Sequence, residues 1–207
     1  FMYILGLNIG HNATACLLKD GEIIGCVSEE RFSRIKNHSG IPFKSINYLL
    51  NENNIKIEDI NLLVLDDHYP IKKNPDFGKQ FLDDYTNKSL KRKILSNIGH
   101  KYPNFFFRYY KLKNELKKNS NNKLKANISK ILKINKNKII IIDHHLAHAY
   151  STCFNLDKKE KTLIFTLDGE GSRICATVNI FDGDKLIRVS HSDKTASLGY
   201  LYAITTI

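Results

Sequence analysis

Three of the eight histidines fall within five positions, in Asp143-His144-His145-Leu146-Ala147-His148-Ala149-Tyr150. On a helix, residues four apart lie on one face about one turn apart, so His144 and His148 can present their rings to a common point. Two imidazoles so placed can grip one metal ion. A β-rich run follows at 162–168 and ends in Asp168-Gly169-Glu170-Gly171, where a carboxylate could supply a third ligand. Histidines at a helix start also cap and pack without any metal, and spacing alone leaves both readings open.

Several elements must position this cluster. Lys138–Ile142 reads as a short buried strand, and Asp143 has the residue type of a helix N-cap. Upstream, Ile41-Pro42 precedes a helix over about 43–53, with Phe43, Ile46, Leu49 and Leu50 on one face. A strand is expected over about 61–66 (Asn-Leu-Leu-Val-Leu-Asp). Residues 77–134 read as an irregular helical insertion broken near Gly99 and Pro103, with a loop at Asn-rich 119–122.

An internal repeat becomes visible when 3–30 is laid beside 162–190. Each half has an apolar strand, a Gly-containing polar loop, a second strand, an Asp-Gly turn and a third strand. Asp20-Gly21 and Asp182-Gly183 are hairpin signals between alternating runs. Two such meanders indicate an α/β fold of duplicated lobes. This is the layout of the actin-like ATPase (ribonuclease H-like) superfamily, whose paired Gly loops hold nucleotide phosphates by backbone N–H groups. The loops here are Asn8–Ala13 and Asp168–Ser172, so Gly169 and Gly171 are candidate phosphate contacts. The expected organisation is a first lobe over 1–160, with a basic helical insertion at about 70–137, and the start of a second lobe over 161–207. The chain reads as a fragment of a larger protein.

Charge is concentrated in one region. Residues 88–140 carry sixteen Lys/Arg against the single acid Glu115, a balance of +15, so the rest of the chain carries −4 of the net +11. With Phe105, Phe106, Phe107, Tyr109 and Tyr110, that segment could bind nucleic acid or another anion. Asn and Ser, rather than spaced aromatics, separate most of the lysines, which favours a solvated insertion and makes nucleic acid an unexpected partner. No apolar run approaches the ~20 residues of a membrane span. The opening residues lack the layout of a signal peptide. The four cysteines, Cys16, Cys26, Cys153 and Cys175, form no CxxC pair, and Cys16 and Cys26 look like small core residues. A cytoplasmic protein is expected.

The sequence Gly6-Leu-Asn-Ile-Gly-His-Asn-Ala-Thr-Ala15, with Glu29-Glu30-Arg31-Phe32-Ser33-Arg34-Ile35-Lys36 after it, resembles the O-carbamoyltransferases of the nodulation and antibiotic-tailoring type. His-His-Leu-Ala-His-Ala at 144–149, Asp-Gly-x-Gly at 168–171 and Ser-Leu-Gly-Tyr at 197–200 match in the same order. Asn12 replaces the family's usual Asp. The resemblance implies transfer of a carbamoyl group from carbamoyl phosphate, through carbamoyl-adenylate made with ATP, to a hydroxyl of a small molecule or sugar. It implies an Fe(II) ion, with Zn(II) also compatible, held by His144, His148 and Asp168, with a fourth ligand beyond Ile207. It implies His11 as general base, with Asn12, Lys36, Gly169 and Gly171 binding substrate. Complete turnover is not expected of these 207 residues alone.

Other readings predict different residues. Sugar kinases and chaperone-like ATPases do not use HxxxH. The tRNA threonylcarbamoyl-transferring enzymes do, but lack the Glu-Glu-Arg-Phe-x-Arg-x-Lys run. A zinc protease needs Glu beside the first His, where His145 stands. A non-catalytic nucleic-acid-binding module would use the basic 88–140 segment and bind with steep salt dependence.

Overall fold

In the computed structural model, residues 1–66, 121–154, 156, 160–172, 174–193 and 196–205 are described. Strands β1 (Tyr3–Asn8), β2 (Thr14–Lys19) and β3 (Glu22–Ser28) form an antiparallel meander. Strands β4 (Leu62–Asp66) and β5 (Ile139–Ile142) join it in parallel beyond β1, giving the order β3-β2-β1-β4-β5. Side chains alternate between faces along a strand, so register decides which ones meet. Leu5 pairs with Leu17 and Leu63, and Leu63 pairs with Ile139. All four are buried, and with Leu7, Ala15 and Leu65 they make one continuous apolar face. Only Ile139 of β5 is buried, and Ile140 is exposed, so this strand is less enclosed than its four isoleucines suggested.

The β2–β3 turn is Asp20-Gly21, both at positive φ, as a two-residue hairpin with right-handed twist requires. After β3 come a short helix α1 (Glu30–Ser33) and helix α2 (Phe43–Glu52). Ile46, Leu49 and Leu50 of α2 are buried, and α2 packs on β2 and β3. A Cβ at Gly25 would lie 2.5 Å from the Leu49 Cδ2 atom, so the bare backbone of β3 permits this approach. Phe43, expected on the same face, is exposed. A polar contact occupies the inner side of that first turn. Glu29, 3% exposed, accepts from the Ser45 N–H at 2.8 Å, the Ser45 hydroxyl at 2.8 Å and the Lys44 N–H at 3.2 Å. Glu29 thus caps a helix that begins fourteen residues later.

The chain divides into two units, 1–71 with 137–207, and 72–136. Of the second unit, residues 121–136 are described: a helix, α3, over 121–132, with Ile128 and Leu132 buried, and a turn after it with Ile134 buried. The expected loop at 119–122 is therefore helical at 121–122. The remainder of the expected insertion, including the breaks at Gly99 and Pro103 and the aromatic run, lies outside the described residues.

The first unit also holds the antiparallel sheet β6 (Thr162–Gly171), β7 (Ile174–Phe181) and β8 (Leu186–Asp193). Helix α4 (His144–Cys153) covers one face, with Ala149, Ile164 and Phe181 at the contact. Helix α5 (Leu198–Thr205) packs on β6. Leu163, Phe165, Leu167, Ile187 and Val189 are exposed, and register aligns Leu163, Ile180 and Ile187 in one rung of that apolar face. Asp182-Gly183 does turn the chain, but within a four-residue loop in which the Asp182 carboxylate accepts from Asp184 N–H and Lys185 N–H. The described residues are thus mixed α/β, with one mixed sheet, one antiparallel sheet and few helices. Among the described residues no helix is long and apolar enough to cross a membrane.

One cysteine reading differs: Cys26 is exposed, while Cys16, directly across from it, is half-buried. Burial, then the Cys26 thiol opposite, push the Cys16 thiol up to about 12.

Replacing Glu29 by Ala leaves buried N–H groups at the α2 start without an acceptor. Urea unfolding of Glu29→Ala is expected to show a loss of about 2 kcal/mol, whereas Glu30→Ala, at a half-buried position, should change little.

Candidate metal centre

The cluster is built at the join of the two sheets. β5 ends at Ile142, Asp143 is extended, and its carboxylate accepts from Leu146 N–H at 2.9 Å to cap α4. The Arg188 guanidinium donates to the same oxygen. Burial alone would raise the Asp143 carboxyl, but the bonds from Arg188 and Leu146 outweigh it and hold it below the usual range. The His144 N–H, at the first helical turn and without an acceptor inside the helix, donates to the Ser172 hydroxyl at 3.1 Å.

This start sets the directions of the three histidines. His144 Nε2 lies 2.7 Å from Asp168 Oδ2 and 3.0 Å from His148 Nε2, and His148 Nε2 lies 3.6 Å from the same Asp168 oxygen. These side chains are the group of three that could hold an ion among the described residues. Two nitrogens each ~2.1 Å from one ion, at angles of ~90–110°, would sit ~3.0–3.4 Å apart, so the donors need little movement. Side-chain exposure is 14% for His144, 37% for Asp168 and 53% for His148, so the cluster opens to solvent on the His148 side. His145 points elsewhere. It is fully buried, with Nδ1 2.7 Å from Thr166 Oγ1 and Nε2 3.0 Å from the Ile174 carbonyl. Burial holds its pKa below the ordinary value, as suits a neutral ring that ties α4 to the second sheet.

Asp168 sits where strand register breaks. Leu167 pairs with Ala176, but the next pair is Gly171 with Ile174. Such an irregularity re-aims side chains at a strand end. Helix α5 supports the turn behind it: Ser197 Oγ donates to the Gly169 carbonyl at 2.7 Å, and a Cβ at Gly199 would lie 2.7 Å from Gly169 N. The Gly169 N–H donates to Asp168 Oδ1 at 2.6 Å, so that donor steadies the carboxylate in this structure. Gly171 has a different duty. A Cβ there would fall 1.9 Å from His144 Cδ2, so the imidazole occupies space that only glycine leaves open.

Burial would lower the His144 pKa, but hydrogen bonds to Asp168 and Asp66 overcome it and raise it to about 9. Asp168 is held well below the usual carboxylate range by its bonds with His144 and His148. The Asp66 contact was not foreseen. Asp66 Oδ2 lies 3.0 Å from His144 Nδ1, on the ring side away from the cluster. In sequence Asp66 is only the last residue of an apolar strand, and its distance from His144 along the chain hides the contact.

His11 and Asn12 lie on the β1–β2 loop, exposed, with Asn12 at φ 58° and its side-chain nitrogen 3.4 Å from His11 Nδ1. Lys36 is exposed in the turn after α1. That segment runs beside the loop, because Ala13 N–H donates to the His38 carbonyl and Gly40 N–H to the Ile9 carbonyl. His11, Asn12 and Lys36 are thus gathered on one loop pair, while His144, His148 and Asp168 form the second group.

A model described as the carbamoyltransferase N-terminus matches residues 3–207. The chain belongs to this family. It is 29% identical over 203 residues to an uncharacterised protein of Methanocaldococcus jannaschii, covering 98% of this chain and 29% of that protein. It is 26% identical over 195 residues to the nodulation protein NolNO of Sinorhizobium fredii, covering 94% of this chain and 25% of NolNO. A 63-residue stretch is 40% identical to part of an uncharacterised Synechocystis protein, 30% of this chain and 10% of that one. The chain therefore spans under a third of the length of these curated relatives. The Asp168-Gly-x-Gly171 and Ser197-Leu-Gly-Tyr200 segments pack on each other behind Asp168.

Two expectations follow. Gly171→Ala should expel the His144 ring and weaken binding of added Zn(II) at least tenfold, read by calorimetric titration, with far-ultraviolet circular dichroism unchanged. The metal-free chain should also show a pH signature. His144 is raised from 6.5 to about 9, so its contribution to stability is fully present below pH 6.5 and lost as pH rises through about 9. Asp168 is depressed, so its contribution is present above 3.8 and lost only as pH falls well below that. Urea midpoints measured from pH 5 to 10 should fall across 6.5–9 in wild type and stay flatter in His144→Asn.

Proposed function

We propose that this chain forms part of an O-carbamoyltransferase, in which His144, His148 and Asp168 hold a divalent metal. The convergence of two imidazole nitrogens and one carboxylate oxygen, in a chain of the carbamoyltransferase N-terminus family, carries this reading. Two imidazoles and a carboxylate suit Fe(II), and Zn(II) fits the same donors. When bound, the ion would supply a Lewis acid that neutralises charge on a leaving phosphate.

The chain's own residues supply the rest. The carbamoyl donor is carbamoyl phosphate, passed through an ATP-derived carbamoyl-adenylate, and the acceptor is a hydroxyl of a small molecule or sugar. In the transfer step, the bond from the carbamoyl carbon to the phosphate oxygen breaks and a bond to the acceptor oxygen forms. The acceptor proton goes to a base, and AMP departs. His11 is the base in this reading, because its exposed loop leaves the ring accessible to an acceptor. Asn12 can serve it by turning its amide carbonyl toward Nδ1–H, which leaves the Nε2 lone pair for the hydroxyl proton. Lys36, on the adjoining segment, steadies phosphate charge. Gly169 and Gly171 give phosphate their N–H groups in this reading, and because the Gly169 N–H is held by Asp168, ligand binding there and carboxylate movement are coupled.

The finer fold reading also belongs here. The order β3-β2-β1-β4-β5 and the second meander β6-β7-β8 support an actin-like duplication, with lobes over 1–160 and 161–207. The free cysteines support a reducing, cytoplasmic setting. The full reaction is expected of a protein as long as the relatives, with these residues contributing the metal and acceptor loops.

The first test is metal analysis. The purified chain, dialysed against Fe(II) without oxygen or against Zn(II), should retain one ion. His144→Ala, His148→Ala and Asp168→Ala should each lose it. The loaded chain should bind AMP more tightly than the metal-free one. Absence of metal, together with tight RNA binding that falls steeply with salt, would replace this reading by a nucleic-acid-binding module.

A further inference from the structure

We propose that Asp66 is a positioning residue for the metal centre: it takes the Nδ1 proton of His144 in a hydrogen bond and so aims the Nε2 lone pair at the point shared with His148 and Asp168. The inference rests on the metal reading above, but it concerns different atoms and a different element of the fold.

The sheet places Asp66. β4 and β5 are parallel, and Asp66 pairs with Ile142, the last residue of β5. Parallel neighbours finish side by side, so the carboxylate ending β4 lies beside the residues that follow β5. Those residues are Asp143, which caps α4, and His144, which opens it. A one-residue slip of β4 would turn Asp66 to the other face and take Leu65 off the apolar one. The same register that completes the apolar face therefore fixes this contact.

The ring chemistry gives the contact its meaning. A neutral imidazole has one N–H and one lone pair, on opposite nitrogens. To ligate through Nε2, His144 must carry its proton on Nδ1, and that proton needs an acceptor. Asp66 Oδ2 stands 3.0 Å away, with the His144 and Asp66 side chains 14% and 15% exposed. Asp66 cannot join His148 and Asp168 around the same ion, because it meets the other edge of the ring. Its second oxygen, Oδ1, is buried without a hydrogen-bond partner among the described residues, so His144 is what orients this carboxylate. Partners of this kind fix the tautomer and raise the basicity of a ligating imidazole, and their loss costs ~10–100-fold in metal affinity. The ligand His148 is more exposed and makes its close contacts within the cluster, which leaves His144 as the preorganised ligand.

Zinc is the probe, because it is diamagnetic and permits nuclear magnetic resonance of the ring nitrogens. Wild type, Asp66→Asn, Asp66→Leu and His148→Ala are compared by calorimetric zinc titration and by long-range nitrogen–proton spectra of histidine-labelled protein. Asp66→Asn keeps an acceptor but loses the charge, and should weaken zinc about tenfold at unchanged stoichiometry. Asp66→Leu keeps volume but loses both, and should weaken it about 100-fold. In the zinc-loaded proteins the spectra should show His144 ligating through Nε2 with its proton on Nδ1 in wild type, and that single arrangement should be lost in Asp66→Leu. Should Asp66→Leu fail to fold, Asp66→Asn carries the comparison. Equal zinc affinity and an unchanged His144 tautomer in the Asp66 variants, with binding lost in His148→Ala, would overturn the role of Asp66 and leave the metal reading standing. No zinc binding by wild type would overturn both.

Discussion

The His144 imidazole, held between two carboxylates from different sheets, is the contact on which the other features of the site depend. Asp66 comes from the parallel part of the first sheet and Asp168 from the irregular end of β6. A ring flanked on both nitrogens by carboxylates is stable only when its charge is arranged to match. Either it carries two protons, or it holds one proton toward Asp66 and a cation toward Asp168. The first condition explains the raised pKa of the bare ring. The second is the state that a metal would create, and the two compete for the same Nε2 lone pair.

Holding a ring so firmly requires space and support around it. Gly171 gives up a side chain so that the imidazole can lie against the β6 backbone. The Ser172 hydroxyl and the Asp143 carboxylate satisfy the first N–H groups of α4, which would otherwise be left without partners. His145 locks the same helix to β6 and β7 through a buried chain of Thr166, Thr177 and Asn179. The burial of that polar chain is tolerable because its members bond one another, although the Asn179 Oδ1 atom lacks a partner. Adjacent histidines therefore serve opposite ends: His144 and His148 face the cluster, and His145 keeps their helix in place.

The two faces of the second sheet contrast in character. The covered face carries that hydrogen-bonded polar chain and a small apolar cluster. The opposite face presents Leu163, Phe165, Leu167, Ile187 and Val189 to solvent. The site stands at the end of this sheet, where β6 loses register with β7 and α5 packs against the turn. Rigid elements thus supply the side chains of the His144, His148 and Asp168 cluster, while the loop pair carrying His11, Asn12 and Lys36 is exposed and tied by a few backbone hydrogen bonds.

Much of this was readable from residue order. HxxxH after a capping Asp identified the helix face, because helical spacing is local. The alternation in 3–28 and 162–190 gave the two meanders, and Asp20-Gly21 gave a true two-residue turn, for the same reason. What the sequence could not determine were contacts that depend on strand register and on packing between elements. Asp66 reaches His144 because parallel strands end together, and nothing local marks that residue. Glu29 stood in sequence only as the start of the Glu29–Lys36 run, yet it is buried as the cap of α2, and Phe43 in that first turn is exposed. Gly171 matched a motif for phosphate binding, while its neighbours in space show that it makes room for an imidazole. Cys26 read as core and proved exposed, since alternation along β3 tells which residues share a face but not whether anything covers it. Local periodicity determined the elements and the one-face spacing of His144 and His148 by itself; tertiary structure alone decided which distant carboxylate meets the ring, because hydrogen bonds between strands, not neighbours in the chain, set that distance.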